Sequence, residues 1–359
     1  MQFQIPIKAI TRPTNDSMTL WFESTNELSS YKPGQYLSLS ALVDNDLESR
    51  SYSINTSPFQ DDDVAVTFRV IPGGKFSKYL TENAREGLMV ALDGPFGDFT
   101  LVPSHGAKKH YAFFAGGSGI TPIVSMIRSV LYNEPDSIIS LVYANRRFNK
   151  IIFREEIEIL TKVFEERFFV YHAISETDDI PTDFNTFYKG RLSKLITKKL
   201  VKDLMSKSES QIEYYMCGPF GFMEMITESL VSLNVGAEYI HKEYFYVPHS
   251  SNVVDFNSLP TTEVIIRWKD QDRLVEVAPG ESILQSALSS GINLPHSCKA
   301  GQCGMCRSLL ISGEVEMRKN HILTPDEMKD GQVLLCEGFP TSNNVVVIPS
   351  PMNLIKVKN

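Results

Sequence analysis

Four of the five cysteines in this chain are placed so that one tight loop and one distant segment must meet. Cys298, Cys303 and Cys306 crowd into the segment HSCKAGQCGMCRS, and Cys336 follows far downstream in VLLCEG. A disulfide framework of a small secreted domain would not group its cysteines in this way. Clustered thiols indicate a metal centre instead, so the C-terminal part of the chain must fold to enclose one.

The cysteine spacing indicates which metal centre this is. C-x4-C-x2-C with a remote fourth cysteine is the plant-type spacing of a 2Fe–2S cluster. Gly301 and Gly304 let the loop turn tightly and direct backbone N–H groups at the sulfurs. A structural zinc site is the alternative, but it usually shows two C-x2-C pairs, and the second pair is missing here. The predicted ligands of the cluster are Cys298, Cys303, Cys306 and Cys336.

The sequence around these cysteines resembles a plant-type ferredoxin over residues 262–350. EVIIRW and RLVEVAP predict a hairpin, and ESILQSALSS predicts a short helix closed by Gly291. The resemblance implies an α+β domain of the β-grasp type, which we assign to residues 262–359. Glu337 departs from the pattern, because relatives commonly carry glutamine after the fourth cysteine. The expected effect is a lower cluster potential with unchanged ligation.

Periodicity predicts a different fold at the other end of the chain. With 359 residues the chain is too long for one ordinary core, and its hydrophobic and charged fractions, 42% and 22%, are those of folded protein. Residues 1–104 contain runs that alternate polar and apolar positions, such as VAVTFRV, between turn-rich stretches such as SYKPG. This pattern predicts an antiparallel β-barrel.

The middle of the chain, residues 105–247, has a third pattern. Apolar runs such as YAFFA and SIISLVYA alternate with amphipathic helices expected to begin near Pro122, Phe153, Leu192 and Phe220. Strand–helix alternation implies an α/β domain with a parallel sheet covered on both faces. The stretch PHSSNVVDFNSLPT (248–261) then breaks all periodicity and has the composition of an interdomain linker. The predicted fold is therefore multidomain.

Two short motifs in the barrel indicate a flavin site. RSYS carries Arg50, Tyr52 and Ser53, but it is a weak match alone, since Tyr52 also suits a barrel side chain. GGKFSKYL (73–80) starts a helix after a strand, so Gly74 and the N–H groups around Ser77 can hold a phosphate. Together with GPFGDF (94–99), these motifs resemble the flavin domain of the ferredoxin–NADP reductase family.

That resemblance implies a bound flavin, FAD in preference to FMN, and a role for each motif residue. Arg50 would balance phosphate charge, Tyr52 would form an aromatic wall on the isoalloxazine, and Ser53 would hydrogen-bond near flavin N5. The residues predicted to contact the flavin are Arg50, Tyr52, Ser53, Gly74, Lys75 and Ser77.

The middle domain begins with a glycine-rich turn, FFAGGSGITPIVSMI (113–127). Gly116, Gly117 and Gly119 let the chain leave a buried strand sharply, and Thr121 and Pro122 are expected as N-cap and first helical residue. Alone, such a turn is a weak sign of a dinucleotide, because strand–helix turns also use glycine for structure, and the G-x-G-x-x-G spacing is absent. It resembles the nicotinamide-side turn of the same reductase family.

A second motif of that family follows a later strand. Cys217, Gly218 and Pro219 in YYMCGPFGFM match its cysteine-glycine-proline turn at the carboxyl end of a strand, where open parallel sheets bind ligands. A buried cysteine often serves only as a small hydrophobic side chain, which is the alternative for Cys217. The resemblance places it beside the nicotinamide.

In the same family the last strand brings an acidic and an aromatic residue towards the flavin. In YIHKEYFYVP (239–248) the candidates are Glu243 and Phe245, while Tyr244 and Tyr246 offer competing registers and all of them also suit a core. The predicted catalytic residues are Ser53, Cys217 and Glu243.

Nucleotide selectivity is expected where the strand SIISLVYA ends. Asn145, Arg146 and Arg147 come next, with Lys150 close behind, and no acidic residue occurs before Arg154. In this fold the adenosine ribose lies near that strand end. A 2′-phosphate needs cations, best an arginine fork, whereas selectivity for NADH is often set by a carboxylate. The residues favour NADPH over NADH, and a solvated basic loop is the alternative.

The order of barrel, nucleotide domain and ferredoxin resembles the reductase components of bacterial oxygenase systems. The stretches YANR (143–146), IIF (151–153), PDE (325–327) and LLC (334–336) resemble most the reductases of CoA-thioester epoxidases, with those of ketosteroid hydroxylases second. The resemblance implies electron transfer from NAD(P)H through FAD and the cluster to an oxygenase of aromatic or CoA-thioester catabolism. A diaphorase, or a donor to a carrier or redox sensor, is the alternative.

Charge and hydropathy argue against two classes of partner. The net charge is −8 with a pI near 5.5, so the basic footprint of a nucleic-acid binder is absent. No apolar run approaches the roughly 18 residues that cross a bilayer. The N-terminus, MQFQIPIKAITRP, alternates like a strand and does not resemble a secretion signal. The expected location is the cytoplasm.

Overall fold

The computed structural model describes residues 3–350 apart from 27, 45, 183, 185–186, 246–253, 302 and 321. The described residues form the three predicted domains, an antiparallel barrel, an α/β domain with a parallel sheet and an α+β domain. The first two domains, apart from Ser49–Ser51, belong to one compact unit, and the third domain belongs to another, which also includes those three residues. No helix in the described ranges is long and apolar enough to span a bilayer.

The first domain is an antiparallel β-barrel with one helix. Its elements are β1 (Phe3–Pro6), β2 (Ala9–Thr14), β3 (Ser17–Glu23), β4 (Tyr36–Val43), β5 (Asp46–Ser53), β6 (Asp63–Arg69), α1 (Lys75–Asn83) and β7 (Met89–Phe96). They form two sheets, ordered β1-β7-β4-β5 and β2-β3-β6, and a bridge between Ile54 and Val66 connects them. In β3, Leu20 and Phe22 are fully buried and Trp21 between them is partly exposed.

The second domain is built on a six-stranded parallel sheet. Its elements are β8 (His110–Gly116), α2 (Ile120–Asn133), β9 (Ile138–Asn145), α3 (Arg154–Val163), β10 (Phe168–Ile174), β11 (Phe187–Lys189), α4 (Lys194–Lys207), β12 (Ile212–Gly218), α5 (Phe220–Val231) and β13 (Ile240–Tyr244). The strand order is β11-β10-β9-β8-β12-β13. The order therefore reverses between β8 and β12, where the chain returns to the centre of the sheet.

The start of α2 differs from the prediction by two residues. Gly119 is its N-cap, and Thr121 lies inside the first turn, where its hydroxyl donates to the Ser118 carbonyl at 3.1 Å. The 3₁₀ turn over Gly117–Gly119 ends with Gly119 already at helical backbone angles (φ −62, ψ −5), so the α-helix begins earlier. Pro122 is tolerated there because first-turn N–H groups have no intrahelical partner.

Buried polar contacts join α2 to the barrel within the first unit. The hydroxyls of Ser57 and Ser129 are 2.7 Å apart, and the Ser125 hydroxyl donates to the Thr56 carbonyl at 2.5 Å. All four residues are shielded from solvent. Buried polar groups must find partners, so these bonds fix the helix against the barrel.

The third domain has the mixed sheet and covering helix predicted for a ferredoxin. Its elements are β14 (Thr262–Trp268), β15 (Gln271–Val277), α6 (Ile283–Ser289), β16 (Arg307–Ser312), β17 (Val315–Met317), α7 (Pro325–Lys329), β18 (Gln332–Leu334), β19 (Gly338–Pro340) and β20 (Val345–Pro349). The main sheet is ordered β15-β14-β20-β16-β18, and β17 pairs with β19. Ser282 caps α6, and Gly291 follows it with φ +75, as the sequence pattern predicts.

Part of the predicted linker belongs to the third domain. Residues 248–253 lie outside the described residues, but Phe256–Ser258 form a 3₁₀ turn. The Phe256 ring lies 4.3 Å from the Phe339 ring between centroids, and the Phe256 carbonyl accepts from the Gly280 N–H at 2.9 Å. Because an aromatic ring and a backbone carbonyl are both satisfied there, the ordered third domain starts before residue 262.

We expect the chain to divide into two independently folding parts when it is cut between residues 250 and 251. The two compact units each contain their own hydrophobic core, so separation should cost little stability. Thermal melting of fragments 1–250 and 251–359, followed by circular dichroism, should show a cooperative transition for each. We expect the midpoint of the larger fragment to fall by no more than about 4 °C, equivalent to roughly 1 kcal/mol. A fragment without a cooperative transition would contradict this division.

Candidate functional site

The carboxyl ends of β8 and β12 form the crevice where the sheet order reverses, which is where open parallel sheets bind ligands. The backbones approach closely here. A Cβ on Gly119 would lie 2.1 Å from the Cys217 carbonyl oxygen, and one on Gly116 would lie 2.7 Å from Pro219 Cδ. A Cβ on Gly218 would lie 3.0 Å from Gly116 Cα. Glycine at these three positions is therefore a packing requirement.

Gly117 is different, because the space beside it is open. Its φ is +54, and the nearest atom to a Cβ placed there is Arg69 Nη1, at 4.0 Å. Its carbonyl accepts from the Tyr143 hydroxyl at 3.1 Å, which fixes the turn. No side chain caps the N-terminus of α2. An open glycine turn at an uncapped helix N-terminus fits the close approach of a dinucleotide phosphate.

The three predicted catalytic residues lie together. Parallel pairing of β12 with β13 places Cys217 opposite Glu243. The Glu243 carboxyl is hydrogen-bonded to the hydroxyl of Ser53, which ends β5 of the barrel. Ser53 and Cys217 are buried, and Glu243 Oε2 is shielded from solvent with no hydrogen-bond partner among the described residues. An unpaired oxygen of this kind leaves one hydrogen-bonding position open to a bound group.

Burial controls the charge at this junction. It raises the pKa of Glu243 to about 8, although the Ser53 hydrogen bond acts in the opposite direction. Burial also raises the pKa of the Cys217 thiol, and the nearby Glu243 adds to the effect. Both groups are therefore protonated at neutral pH. The site offers a proton and a neutral thiol, and it does not offer a thiolate nucleophile.

The structure of the last strand distinguishes between the candidate residues that could face the flavin. Tyr244 is buried on the side away from Glu243, and its hydroxyl donates to Glu224 Oε1 at 2.7 Å. Phe245 follows the strand and is 41% exposed. Tyr246 lies outside the described residues. Of the two neighbours in this strand, Glu243 is the one that meets the barrel.

The barrel offers a flavin surface around Tyr52 and the start of α1. The Tyr52 ring is half-buried, with its centroid 5.1 Å from that of Phe68 and 6.3 Å from that of Phe76. Gly74 is the N-cap of α1, and no side chain caps the helix. The first-turn N–H groups can therefore bind a phosphate.

The remaining flavin candidates have different surroundings. The Ser77 hydroxyl accepts from the Ile71 N–H at 3.1 Å, so it closes the turn before the helix. Lys75 is exposed at the first helical position. Arg50 is half-buried and donates to the Ser49 carbonyl at 2.7 Å. An aromatic surface and an uncapped helix that begins with Lys75 together fit a flavin that carries phosphate.

The basic loop after β9 has acidic partners that the sequence pattern did not indicate. Glu176, which follows β10, pairs with both Arg146 and Arg147, and Arg147 Nε lies 2.6 Å from Glu176 Oε2. Lys150 pairs with Asp16 of the barrel at 2.9 Å. The lack of acidic residues between Asn145 and Arg154 therefore does not leave these cations without carboxylate partners. Both carboxylates come from segments remote in the chain, which a local search cannot detect.

The four predicted cluster ligands are buried and lie in two pairs. The thiols of Cys298 and Cys303 are hydrogen-bonded to each other, and so are those of Cys306 and Cys336. The Leu335 N–H donates to the Cys306 carbonyl at 3.1 Å, which brings the remote cysteine to the loop. Two thiols for each of two irons is the requirement of a 2Fe–2S cluster.

Backbone donors complete this donor set. The Gly301 N–H lies 3.3 Å from Cys336 Sγ, and the Cys303 N–H lies 3.3 Å from Cys298 Sγ. Within the described ranges, no three His, Cys, Asp or Glu side chains converge as ligands of one ion. Two thiol pairs supported by backbone N–H donors fit the two irons of a cluster.

The barrel can bind a flavin, and the crevice can bind a reduced nicotinamide, which donates two electrons. The paired thiols can hold a 2Fe–2S cluster, which accepts one electron at a time. This combination defines an NAD(P)H-dependent oxidoreductase that contains a flavin and a 2Fe–2S cluster. Known domain families match accordingly. The oxidoreductase FAD-binding domain matches residues 4–101, the oxidoreductase NAD-binding domain residues 113–228, and the 2Fe-2S iron-sulfur cluster binding domain residues 266–341.

Relatives match the chain over almost its whole length. It is 31% identical over 348 residues to one of the subunits of 1,2-phenylacetyl-CoA epoxidase from Escherichia coli (strain K12), with 96% of each chain covered. It is 27% identical over 364 residues to the 3-ketosteroid-9-alpha-monooxygenase ferredoxin reductase component of Rhodococcus rhodochrous, covering 96% of this chain and 95% of that one.

A solved structure shows the same fold. The phthalate dioxygenase reductase superimposes with a TM-score of 0.60 at 21% identity, covering 97% of this chain and 98% of that one. The chain belongs to the family of iron–sulfur flavoprotein reductases that includes this 1,2-phenylacetyl-CoA epoxidase component. Its cofactors are FAD and a 2Fe–2S cluster, and its electron donor is NAD(P)H.

Replacing Glu243 with glutamine should make stability less dependent on pH. The pKa of Glu243 is raised from 4.5 to about 8, so between these values the folded protein keeps a proton that the unfolded chain releases. The free energy of unfolding therefore falls as pH rises through this window, by up to about 1.4 kcal/mol per pH unit for this group. Differential scanning fluorimetry from about pH 5 to about pH 8 should show that the melting temperature of the variant depends less on pH than that of the wild type.

The matched control is Glu238→Gln, which changes an exposed glutamate just before the same strand. Its melting temperatures should follow those of the wild type at every pH. If the Glu243→Gln curve also ran parallel to the wild type, the raised pKa would be contradicted.

Proposed function

We propose that this protein is the reductase component of an oxygenase system and passes electrons from NADPH through FAD and its 2Fe–2S cluster to the oxygenase. The observation that carries the proposal is the meeting of Ser53, Cys217 and Glu243 at the sheet crevice, in a chain that also holds the paired thiols. The two relatives are a subunit of an epoxidase and a reductase component of a monooxygenase. A diaphorase without an oxygenase is less favoured for that reason.

When bound, the nicotinamide and the flavin supply hydride transfer, a step in which the protein's task is alignment. Glu243 holds a proton on its carboxyl at neutral pH, and Ser53 Oγ is hydrogen-bonded to that carboxyl. Ser53 can therefore pass its hydroxyl proton to a bound group as it accepts the Glu243 proton, so the pair can deliver one proton away from bulk water. Cys217 stays a neutral thiol and shapes the wall of the crevice.

Two further groups of residues bind the cofactors in this proposal. The turn at Gly116, Gly117 and Gly119, with Thr121 in the first turn of α2 and with Gly218 and Pro219 opposite, admits the nicotinamide side of the nucleotide. The uncapped start of α1, with Gly74, Lys75 and Ser77, binds flavin phosphate, and Arg50 balances its charge. Tyr52 and Phe245 contact the flavin ring.

The substrate of the partner follows from the relatives. We infer that the oxygenase acts on a CoA thioester of an aromatic acid, because the relative at 31% identity is a subunit of a phenylacetyl-CoA epoxidase. Phenylacetate degradation is the pathway that this assignment suggests. Reduced nicotinamide nucleotides are produced in the cytoplasm, and we place the protein there.

Two single substitutions should interrupt the electron path at different points. Ser53→Ala should slow flavin reduction roughly tenfold or more, because it removes a hydrogen-bonding group at the proposed hydride site. Cys303→Ser should leave flavin reduction and ferricyanide activity intact but abolish cytochrome c reduction, because the cluster cannot assemble. Stopped-flow absorbance measures the first effect, and steady-state rates with the two acceptors measure the second.

Ser206→Ala is the control, since Ser206 is exposed on α4 far from these groups in the chain. Iron analysis should give two atoms per chain for the wild type, for Ser53→Ala and for Ser206→Ala. Cytochrome c activity that persists in Cys303→Ser would remove the cluster from the path. An unchanged rate of flavin reduction in Ser53→Ala would remove the proposed hydride site.

For the nucleotide we propose a modest preference for NADPH, with the 2′-phosphate bound by Arg146 and Arg147 in place of Glu176. The two arginine side chains are 74% and 52% exposed. Exposed ion pairs contribute only about 0–1 kcal/mol, so a phosphate of higher charge can displace the carboxylate. Lys150 adds positive charge nearby, reduced by its pairing with Asp16.

Arg146→Ala combined with Arg147→Ala should raise the KM for NADPH roughly tenfold and leave the KM for NADH unchanged. Glu176→Gln should do the reverse and lower the KM for NADPH, because it frees the arginine fork. Initial rates with both nucleotides measure these effects, and Arg191→Ala, an exposed arginine of the same domain, is the control. A wild-type preference for NADH that none of these changes alters would contradict the proposal.

A further inference from the structure

Glu337 is a buried acidic residue directly beside a cluster ligand. It follows Cys336 and is 2% exposed. Its carboxylate pairs with the guanidinium of Arg318, with Arg318 Nε 2.9 Å from Glu337 Oε2. The arginine side chain is 47% exposed, so the pair runs from the interior to the surface. A buried carboxylate with a single cationic partner depends strongly on that partner.

The pair is held by contacts on both sides. The Arg318 N–H donates to the Glu337 carbonyl at 2.8 Å, and the guanidinium lies 5.0 Å from the centroid of the Phe339 ring. A Cβ on Gly301 would lie 3.3 Å from Glu337 Cγ, so the glutamate side chain packs against the cluster loop. The Gly301 N–H in turn points at Cys336 Sγ. Glu337 therefore contacts the loop and stands next in sequence to a ligand.

A negative charge on Glu337 affects the reduction potential of the cluster. Reduction adds one negative charge, and a buried carboxylate nearby opposes it because the local dielectric is low. Net charge and hydrogen bonds to the sulfurs are among the factors that set the potential of such clusters. A glutamate here would lower the potential by itself, as expected from the sequence. The guanidinium offsets that charge, so the pair is close to neutral.

We propose that Arg318 is a positioning and charge-compensating residue for the cluster, and that its ion pair with Glu337 keeps the reduction potential within reach of the flavin. Arg318 acts through Glu337 and does not bind the cluster. The proposal rests on the assigned 2Fe–2S cluster, and on neither the oxygenase partner nor the nucleotide preference.

The test is a double-mutant cycle on the full chain with its cofactors bound, followed by redox titration of the cluster absorbance. Arg318→Gln should lower the ratio of reduced to oxidised cluster about tenfold at a fixed ambient potential, equivalent to a drop of about 59 mV for one electron. Glu337→Gln should raise the ratio, by less, because Arg318 is partly solvated. The double variant should return to within about twofold of the wild type.

Three measurements separate this role from a structural one. Iron content and the visible spectrum of each variant report whether the cluster is intact, and they test the cluster assignment independently of the potential. Arg318→Lys should keep the wild-type potential. Arg267→Gln, which breaks an exposed pair with Asp272 in the same domain, should also leave it unchanged. If the cluster does not assemble in Arg318→Gln, the Glu337→Gln variant decides alone. A cluster potential in that variant at or below the wild-type value overturns the proposal. The proposal is also overturned if Arg318→Gln lowers the ratio by as much in the Glu337→Gln background as it does in the wild type.

Discussion

The close approach between the glycine-rich turn and the end of β12 is the constraint on which the hydride site depends. With no side chain on Gly119, the turn lies against the Cys217 carbonyl at the end of β12. β13 pairs with that same strand and places Glu243 opposite Cys217, where it meets Ser53 at the end of its barrel strand. The buried serine contacts between α2 and the barrel then hold the two halves of the site in one unit.

Charge is distributed differently in the three functional regions. At the sheet crevice, burial keeps Glu243 and Cys217 protonated, so these two groups carry no charge at neutral pH. At the nucleotide loop, charges of both signs are exposed and can exchange partners. Beside the cluster, Glu337 is buried but compensated by a cation at the surface. In each region a charged group is thus either exposed to solvent or paired, and the buried groups at the crevice are neutral. Burying an unpaired charge would be energetically costly.

The sequence was informative where chemistry requires a fixed local spacing. The cysteine ligands, the glycine turns and the order of domains follow from short patterns, and helix starts lie within two residues of the predicted positions. It was uninformative where two remote segments meet. Glu176 lies far along the chain from Arg147, and Asp16 belongs to another domain than Lys150. The N-cap of α2 is Gly119 and not the predicted Thr121, because a 3₁₀ turn precedes the helix. The sequence pattern of helix caps does not reveal such a turn.

The two thiol pairs arise from different kinds of structure, and this bears on how the cluster is built in the cell. Cys298 and Cys303 meet within one loop, through contacts local in sequence. Cys306 meets Cys336 because β16 pairs with β18, with Arg307 opposite Leu334. One half of the binding site is local in sequence, while the other requires the sheet to be closed. The complete donor set therefore depends on the folded sheet, and a chain truncated before β18 would keep only three of the four cysteine ligands.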